Sequence, residues 1–394
     1  MLFRRRRLLR VRIPMQCAKS CIKITYTGCM PVTDPSVPVL DLGASSPDLT
    51  RQLCDIESVS GNERQIADAI ETALSAFDHL EVVRDADAIV ARTSGGKAQR
   101  VVVAGHIDTV PVNANLPTTT EHIDGEEHLV GRGTVDMKGG VAIALKLAAE
   151  LTDPSLDVTW IFYDHEEVAA ELNGLGRLAR NRPDLMAGDF AILGEPSNST
   201  VEGGCNGTAR IDIHLSGLRA HSARSWMGEN AIHAAAPVLA ILAAYEPEQR
   251  EVDGLVYREG LNAVGVSGGV AGNVIPDRAT VSVNFRFAPD RSTEQAIQHL
   301  REVFVGFDFD ITDLAGGARP GLDAPIAQNF VAAVGGTPAP KYGWTDVARF
   351  SELGIPAVNY GPGNPLRAHA DDERVATSEI VACEQGLRAW LTAR

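Results

Sequence analysis

Apolar and polar positions along the 394-residue chain fall into two regimes. Residues 44 to 78 read as helical, with Ile66, Ala67, Ile70, Ala73 and Leu74 on one face and Ser60-Gly61-Asn62 as a helix entry. Strand patterns follow at 80–84, 87–92 and 100–105. A mostly buried helix is expected over 137–151 (MKGGVAIALKLAAEL), then apolar strands at 157–164 (DVTWIFYD) and 189–194 (DFAILG). Those two strands do not alternate, as expected where helices cover both faces of a sheet. Strands alternating with helices predict an α/β domain.

The period changes after Gly203-Gly204. TARIDIHLSG (208–217) and RATVSVNFRFAP (278–289) alternate with period two, with helices expected at about 229–245 and 292–304. That pattern predicts antiparallel strand pairs with two helices, an α+β two-layer segment. The first regime then resumes, with helices near 325–334 and 346–353, the strand PAVNY (356–360) and a final helix from about 377. The predicted fold class is therefore α/β with a central mixed sheet over 44–206 and 316–394. A smaller α+β domain is inserted at 207–315.

Size agrees with two domains, since single cores stop growing at about 250–300 residues. The net charge of −15 argues against nucleic acid as the main partner. No apolar run reaches the roughly 18 residues of a membrane span. The six cysteines form no disulfide framework, and a reducing cytoplasm fits them best.

The first 29 residues differ in character. They hold eight basic residues, no acidic one, and Cys17, Cys21 and Cys29. Without them the chain carries 28 basic against 51 acidic residues, a net of −23. Interspersed arginines break any secretory apolar core, and serine is too scarce for an organellar transit peptide. The reading favoured is a true start at Met30, with residues 1–43 a disordered or over-extended lead-in without function. The Cys17/Cys21 pair has no second pair at zinc spacing, so no metal is expected there.

Acidic and histidine residues collect where elements end: His106-x-Asp108 in VVVAGHIDTVP, Asp136 in GRGTVDMKGG, Asp164-His165-Glu166-Glu167 after VTWIFY, Glu195 in LGEPS, and His369 in RAHADDE. In an open α/β sheet, ligands bind outside the carboxyl ends of strands. Imidazole nitrogens with carboxylate oxygens make a donor set for zinc and similar divalent ions. Each spot alone has a plainer explanation: strand punctuation, a helix N-cap, a solvated turn or a Gly-Pro turn signal. Their order along the chain is what carries the sharper reading.

That order resembles the M20 family of dinuclear zinc amidohydrolases and peptidases. The matching pieces are GHIDTVP, GRGTVDMKGG, DHEEVAAELNGLG, GEP, the AHSA segment, GNVIPD and a late histidine, spread over residues 45 to 390. The resemblance implies a zinc-peptidase-like catalytic domain and an inserted dimerisation (lid) domain. It implies that Asp136 bridges two metal ions, Zn(2+) or Co(2+). His106 and Glu195 would complete one ion's protein ligands, and Glu167 and His369 the other's. Asp108 would orient His106, Glu166 would be the general base, and the Asp136–Met137 peptide would be cis. His221 would reach a partner subunit's site and stabilise an oxyanion, which implies a homodimer.

Two runs, YGWTDVARFSELGIPAVNYGPG and GGCNGTARIDIHLSGLRAHSARSWMGENAIH, resemble the succinyl-diaminopimelate desuccinylases of high-GC Gram-positive bacteria. The implied reaction is hydrolysis of N-succinyl-LL-2,6-diaminopimelate to succinate and LL-diaminopimelate. Arg286 and Arg349 match positions that hold substrate carboxylates, and forked guanidinium donors suit that task. Asn273 and Thr345 would hydrogen-bond the substrate, with Arg224 a further candidate. Gram-negative relatives carry a basic pair near Cys205-Asn206; here neither residue is basic. The alternatives are another M20 activity, such as N-acetylornithine deacetylation or removal of an acyl group from an amino acid or peptide, and a non-catalytic binding homologue. The latter predicts loss of a ligand or of the base, and all six key positions are present.

Overall fold

A computed structural model describes residues 37–393. Its centre is an eight-stranded mixed sheet. The spatial order is Glu81–Asp85, Ala88–Arg92, Asp157–Tyr163, Arg100–His106, Phe190–Leu193, Ala357–Asn359, Glu202–Gly203 and Ala339–Pro340. Asp157–Tyr163, Arg100–His106 and Phe190–Leu193 run parallel side by side, so their carboxyl ends emerge together.

The continuous apolar runs are explained by burial on both faces. Val101, Val103, Trp160, Phe162 and Ile192 pack with the helices Lys138–Glu150 and Thr377–Leu391. Their alternates Val102, Ala104, Ile161, Tyr163 and Leu193 pack with Leu175, Leu178, Val347 and Phe350.

Between the strands of that sheet in sequence lies a four-stranded antiparallel sheet. Its order is Gly260–Gly268, Arg278–Phe287, Gly207–Ser216, Phe309–Ala315. One face is apolar: Ala209, Ile211, Ile213, Val281, Val283 and Phe285 bury against Val238, Ile297 and Leu300 of the helices Ala236–Ala244 and Thr293–Val303. The two-layer α+β segment is thus present as the period-two pattern predicts.

Three details differ from the sequence reading. The expected helical stretch 44–78 is two helices, Ser46–Cys54 and Arg64–Leu74. Ser45 caps the first by accepting the Asp48 N–H. In the gap, Val59 bridges Thr109, and Gly61 turns the chain at φ +93, a conformation that favours glycine. The stretch 229–245 is a 3-10 turn, His233–Ala235, followed by the helix Ala236–Ala244. An unpredicted three-stranded sheet joins Thr119–Ile123, Glu126–Val130 and Arg374–Ala376.

At the N-terminal end, Leu40 and Leu42 are buried in the main core, so the packed body begins before residue 44. The proposed start at Met30 and the three N-terminal cysteines lie outside the described residues. Cys54, Cys205 and Cys383 are buried free thiols. Among the described residues no helix is long and apolar enough to cross a membrane.

Candidate active site

The three parallel strands deliver the site. His106 is the last residue of Arg100–His106, and Asp108 follows it. Glu166 and Glu167 follow Asp157–Tyr163, and Glu195 follows Phe190–Leu193. Asp136 precedes the helix Lys138–Glu150, and His369 sits between the turn Pro365–Arg367 and the strand Arg374–Ala376. The Asp136–Met137 peptide is cis, as the resemblance implies. Glycine lets these segments close up: a Cβ on Gly140 would lie 2.2 Å from the Gly194 carbonyl oxygen. That contact draws the helix behind Asp136 against the strand end that carries Glu195.

Ligand-type atoms converge in three overlapping groups, each within 4.8 Å: His106, Asp136 and Glu195; His106, Glu166 and Glu167; and Asp136, Glu167 and His369. His106 Nε2 lies 3.1 Å from one Asp136 oxygen, and His369 Nε2 lies 3.3 Å from the other and 3.0 Å from Glu167. Asp136 therefore stands between the two imidazoles.

Asp108 is buried and does more than the sequence suggested. The nearer partner of His106 Nδ1 is the Asp108 backbone carbonyl, at 3.0 Å; the carboxylate is at 3.6 Å. The carboxylate accepts hydrogen bonds from the backbone N–H groups of Glu166 (3.0 Å) and Glu167 (3.1 Å) and from the Ser60 hydroxyl (2.6 Å). Glu373, which sequence reasoning missed, accepts the N–H groups of Val135 and Asp136 and pairs with Arg132. Its only sequence signal was its place in RAHADDE, four residues after His369.

The protonation of the cluster shows an excess of negative charge. Burial pushes the Glu166 carboxyl well above its usual range, with Glu195, Asp346 and Glu167 adding and His106 opposing. Burial and Asp136 push Glu195 up to about 8. His369 is pushed up to about 10 by its hydrogen bonds to Asp136 and Glu167. His106 is raised well above the histidine range: burial opposes this, but the bond to Asp136 and the charges of Asp108 and Glu166 outweigh it. The two imidazolium groups occupy the place of cations between carboxylates. Divalent ions take the same nitrogen and oxygen atoms once those protons leave, so the donor set fits metal binding.

Two cavities of about 430 Å³ meet at this cluster and share Glu166, Glu167 and Trp344. One includes Asp136, Glu195, His369, Lys341 and Thr345. The other includes Asn173, Thr208, Arg210, Asp313 and Arg349. Thr345 is buried and donates its hydroxyl proton to Asn359. Arg349 pairs with the buried Asp346 and lies over the Trp344 ring, its guanidinium carbon 5.5 Å from the centroid. Arg286 is half-buried, bonds Asn284 at 3.2 Å, and is absent from both walls.

The structure does not bring His221, Asn273 or Arg224 into either cavity of the same chain. All three are exposed and lie together: His221 accepts the Ala223 N–H, and the Asn273 carbonyl accepts the Ser222 N–H. Trp344, Asp346 and Arg210 were missed. For Arg210 the signal existed, because the alternation of TARIDIHLSG puts it on the outward face.

Comparison with known proteins gives concordant results. Residues 102–393 match the model of peptidase family M20/M25/M40. The chain is 46% identical to a succinyl-diaminopimelate desuccinylase of Corynebacterium glutamicum, over 90% of this chain and 98% of the relative. It is 51% identical to a Mycobacterium tuberculosis protein provisionally named succinyl-diaminopimelate desuccinylase DapE, over 90% of this chain and 99% of the relative. Similar solved structures include a Staphylococcus aureus tripeptidase (TM-score 0.72, 21% identity, 90% of this chain and 98% of that one). Another is a Bacillus subtilis protein described as a dinuclear metal binding peptidase from the M20 family (TM-score 0.65, 18% identity, 88% and 96%).

Proposed function

The chain belongs to peptidase family M20/M25/M40, and from that membership we propose that it hydrolyses N-succinyl-LL-2,6-diaminopimelate to succinate and LL-2,6-diaminopimelate, a step of diaminopimelate and lysine biosynthesis. The observation that carries the substrate is the 51% and 46% identity to proteins bearing the desuccinylase name over nearly their whole length. Membership alone makes the chain a hydrolytic enzyme.

In this reading His106, Asp136 and Glu195 would hold one divalent cation and Asp136, Glu167 and His369 a second. The pair would be zinc or cobalt, or one of each. When bound, these cations supply Lewis acidity to the scissile carbonyl and the attacking water. Glu166 accepts a proton from that water as its oxygen bonds to the amide carbon. The same carboxyl then returns the proton to the departing nitrogen as the C–N bond breaks. A buried carboxyl with a raised pKa suits both halves of the task. Asp108 holds the backbone of Glu166 and Glu167 while its own carbonyl accepts the His106 Nδ1 proton, which leaves Nε2 free as a ligand.

Segment 207–315 acts as a lid and dimerisation domain between the two parts, 44–206 and 316–394, of a catalytic domain. His221 then serves the site of a second copy, which accords with its exposure and its absence from the cavities of its own chain. Asn273 and Arg224, beside it, would contact substrate in the same way. The compartment is the cytoplasm, supported by three buried free thiols.

The test compares amide cleavage of N-succinyl-LL-diaminopimelate with that of N-acetylornithine on zinc-loaded protein, with Glu166→Ala as control. Turnover of the succinyl substrate alone, lost in the variant, supports the reading. Turnover of neither substrate, or of the acetyl substrate alone, discards the desuccinylase assignment.

A further inference from the structure

The cavity on the Thr208 side of Glu166 has in its wall an arginine to which the proposed reaction gives no role. Arg210 lies in Gly207–Ser216, where Ala209, Ile211 and Ile213 fill the core and Thr208, Arg210 and Asp212 face outward. Its side chain is exposed, and its guanidinium makes no hydrogen bond or ion pair among the described residues. By register it stands between Asn284 on one neighbouring strand and Asp313 on the other. Asp313 leaves it unengaged. On the next rung of the same face, Arg286 stands opposite Thr208. Arg286 is held below the usual guanidinium range chiefly by burial; the Asp313 charge opposes this, and the Arg210 charge adds to it.

Across the same cavity, the charge of Arg349 is already met by Asp346. Arg210 is therefore the cation in this wall with all its donors uncommitted. Two arginines on successive rungs repel unless an anion lies between or above them. A planar guanidinium facing a cavity is suited to a carboxylate, which accepts two parallel hydrogen bonds from it.

We propose that Arg210 binds a carboxylate of the substrate that lies outside the scissile amide, and so selects amides that carry two or more carboxylates. This deepens the desuccinylase reading and rests on it. One arm of such a substrate enters the Arg210 cavity while the amide lies at Glu166, where the two cavities meet.

The test uses the full chain loaded with zinc, as wild type, Arg210→Gln and Arg210→Lys, with metal content checked in each. Calorimetry measures the binding of succinate and, separately, of LL-diaminopimelate. Affinity for one of the two should fall at least about tenfold in Arg210→Gln, the scale of one charge-assisted pair. Affinity for the other should stay unchanged, and Arg210→Lys should recover part of the loss. In turnover of N-succinyl-LL-diaminopimelate, KM should rise by a similar factor while kcat holds. Unchanged affinity for both anions in Arg210→Gln overturns the proposal, and so does an equal loss for both. Anion binding that depends on Arg210, in a wild type that fails to cleave the succinyl substrate, would remove the desuccinylase reading and leave the Arg210 site standing.

Discussion

Oδ1 of Asp108 accepts the backbone N–H of Glu166 at 3.0 Å, while Oδ2 accepts the N–H of Glu167 at 3.1 Å. One buried carboxylate thus fixes the residue proposed as base and a residue proposed as ligand through their main chain. Asp108→Asn keeps the shape but turns an NH2 group toward one of those N–H donors. Metal affinity should fall about 10–100-fold, as for outer-shell partners of metal ligands, and kcat should fall with it. Zinc titration against a competing chelator, beside single-turnover rates, measures both. Wild-type affinity with wild-type kcat would show that the clamp is dispensable.

Glu166→Gln removes the proton acceptor and leaves the proposed ligands in place. The rate should fall by about 10²–10⁴-fold, the usual contribution of general acid–base catalysis, with two metals still bound. Elemental analysis of the purified variant separates this from a loading defect. A variant with less than tenfold loss would assign the proton transfer elsewhere.

Metal binding should release protons. In the metal-free protein His369 holds its proton up to about pH 10 and Glu195 up to about pH 8, and His106 and Glu166 are also raised. At pH 7 His369 and Glu195 are therefore protonated, and ligand atoms must lose protons to bind a cation. Zinc added to weakly buffered, chelator-stripped protein at pH 7 should release about two protons or more. The number should drop as pH rises through 8 toward 10, where the free groups deprotonate on their own. Absence of proton release at pH 7 would contradict the ligand set.

Asp164 is buried and pairs with Arg177, 2.6 Å away. Burial raises its pKa, but the hydrogen bonds and charge of Arg177 win, and the carboxyl sits below the usual aspartate range. A depressed folded pKa means stability that is present above the unfolded value of about 3.9 and lost as pH falls through the folded one. Arg177→Leu should leave the Asp164 carboxylate with the His165 ring, 2.7 Å away, as its side-chain partner and cost about 2–3 kcal/mol, less than a fully buried pair because Arg177 is partly exposed. The variant's loss of melting temperature should be full above about pH 4 and shrink as pH falls below it, where Asp164 is protonated. A loss that does not change with pH would assign it to packing and not to the Asp164 charge.

Much of the site was legible because strand ends announce themselves. His106, Glu166 and Glu195 each follow a run of buried apolar residues, where polar side chains have no packing reason to gather. The parts that were not legible depended on contacts distant in sequence. The break between Ser46–Cys54 and Arg64–Leu74 was signalled only by the helix entry Ser60-Gly61-Asn62, and what it does, laying Val59 beside Thr109 and bringing the Ser60 hydroxyl to Asp108, was not legible. The strand pair Thr119–Ile123 and Glu126–Val130 is largely exposed, so its apolar signal is weak. Asp124-Gly125, with φ of +53 and +85, was the turn signal that would have found it. Arg286, read as a pocket residue from its motif, shares a sheet face with Arg210, and it is the more exposed Arg210 that lines the cavity.

His369 lies beyond the inserted four-stranded segment in sequence, while His106 and Asp136 lie before it. A ribosome must therefore complete the whole α+β segment, and most of the chain beyond it, before the last proposed ligand exists. A nascent chain carries one proposed set, His106, Asp136 and Glu195, before that segment is made, but the second set, Asp136, Glu167 and His369, stays open until the end. Filling of the second set would then act as a seal of completion, available only to a chain whose two separated parts have found each other.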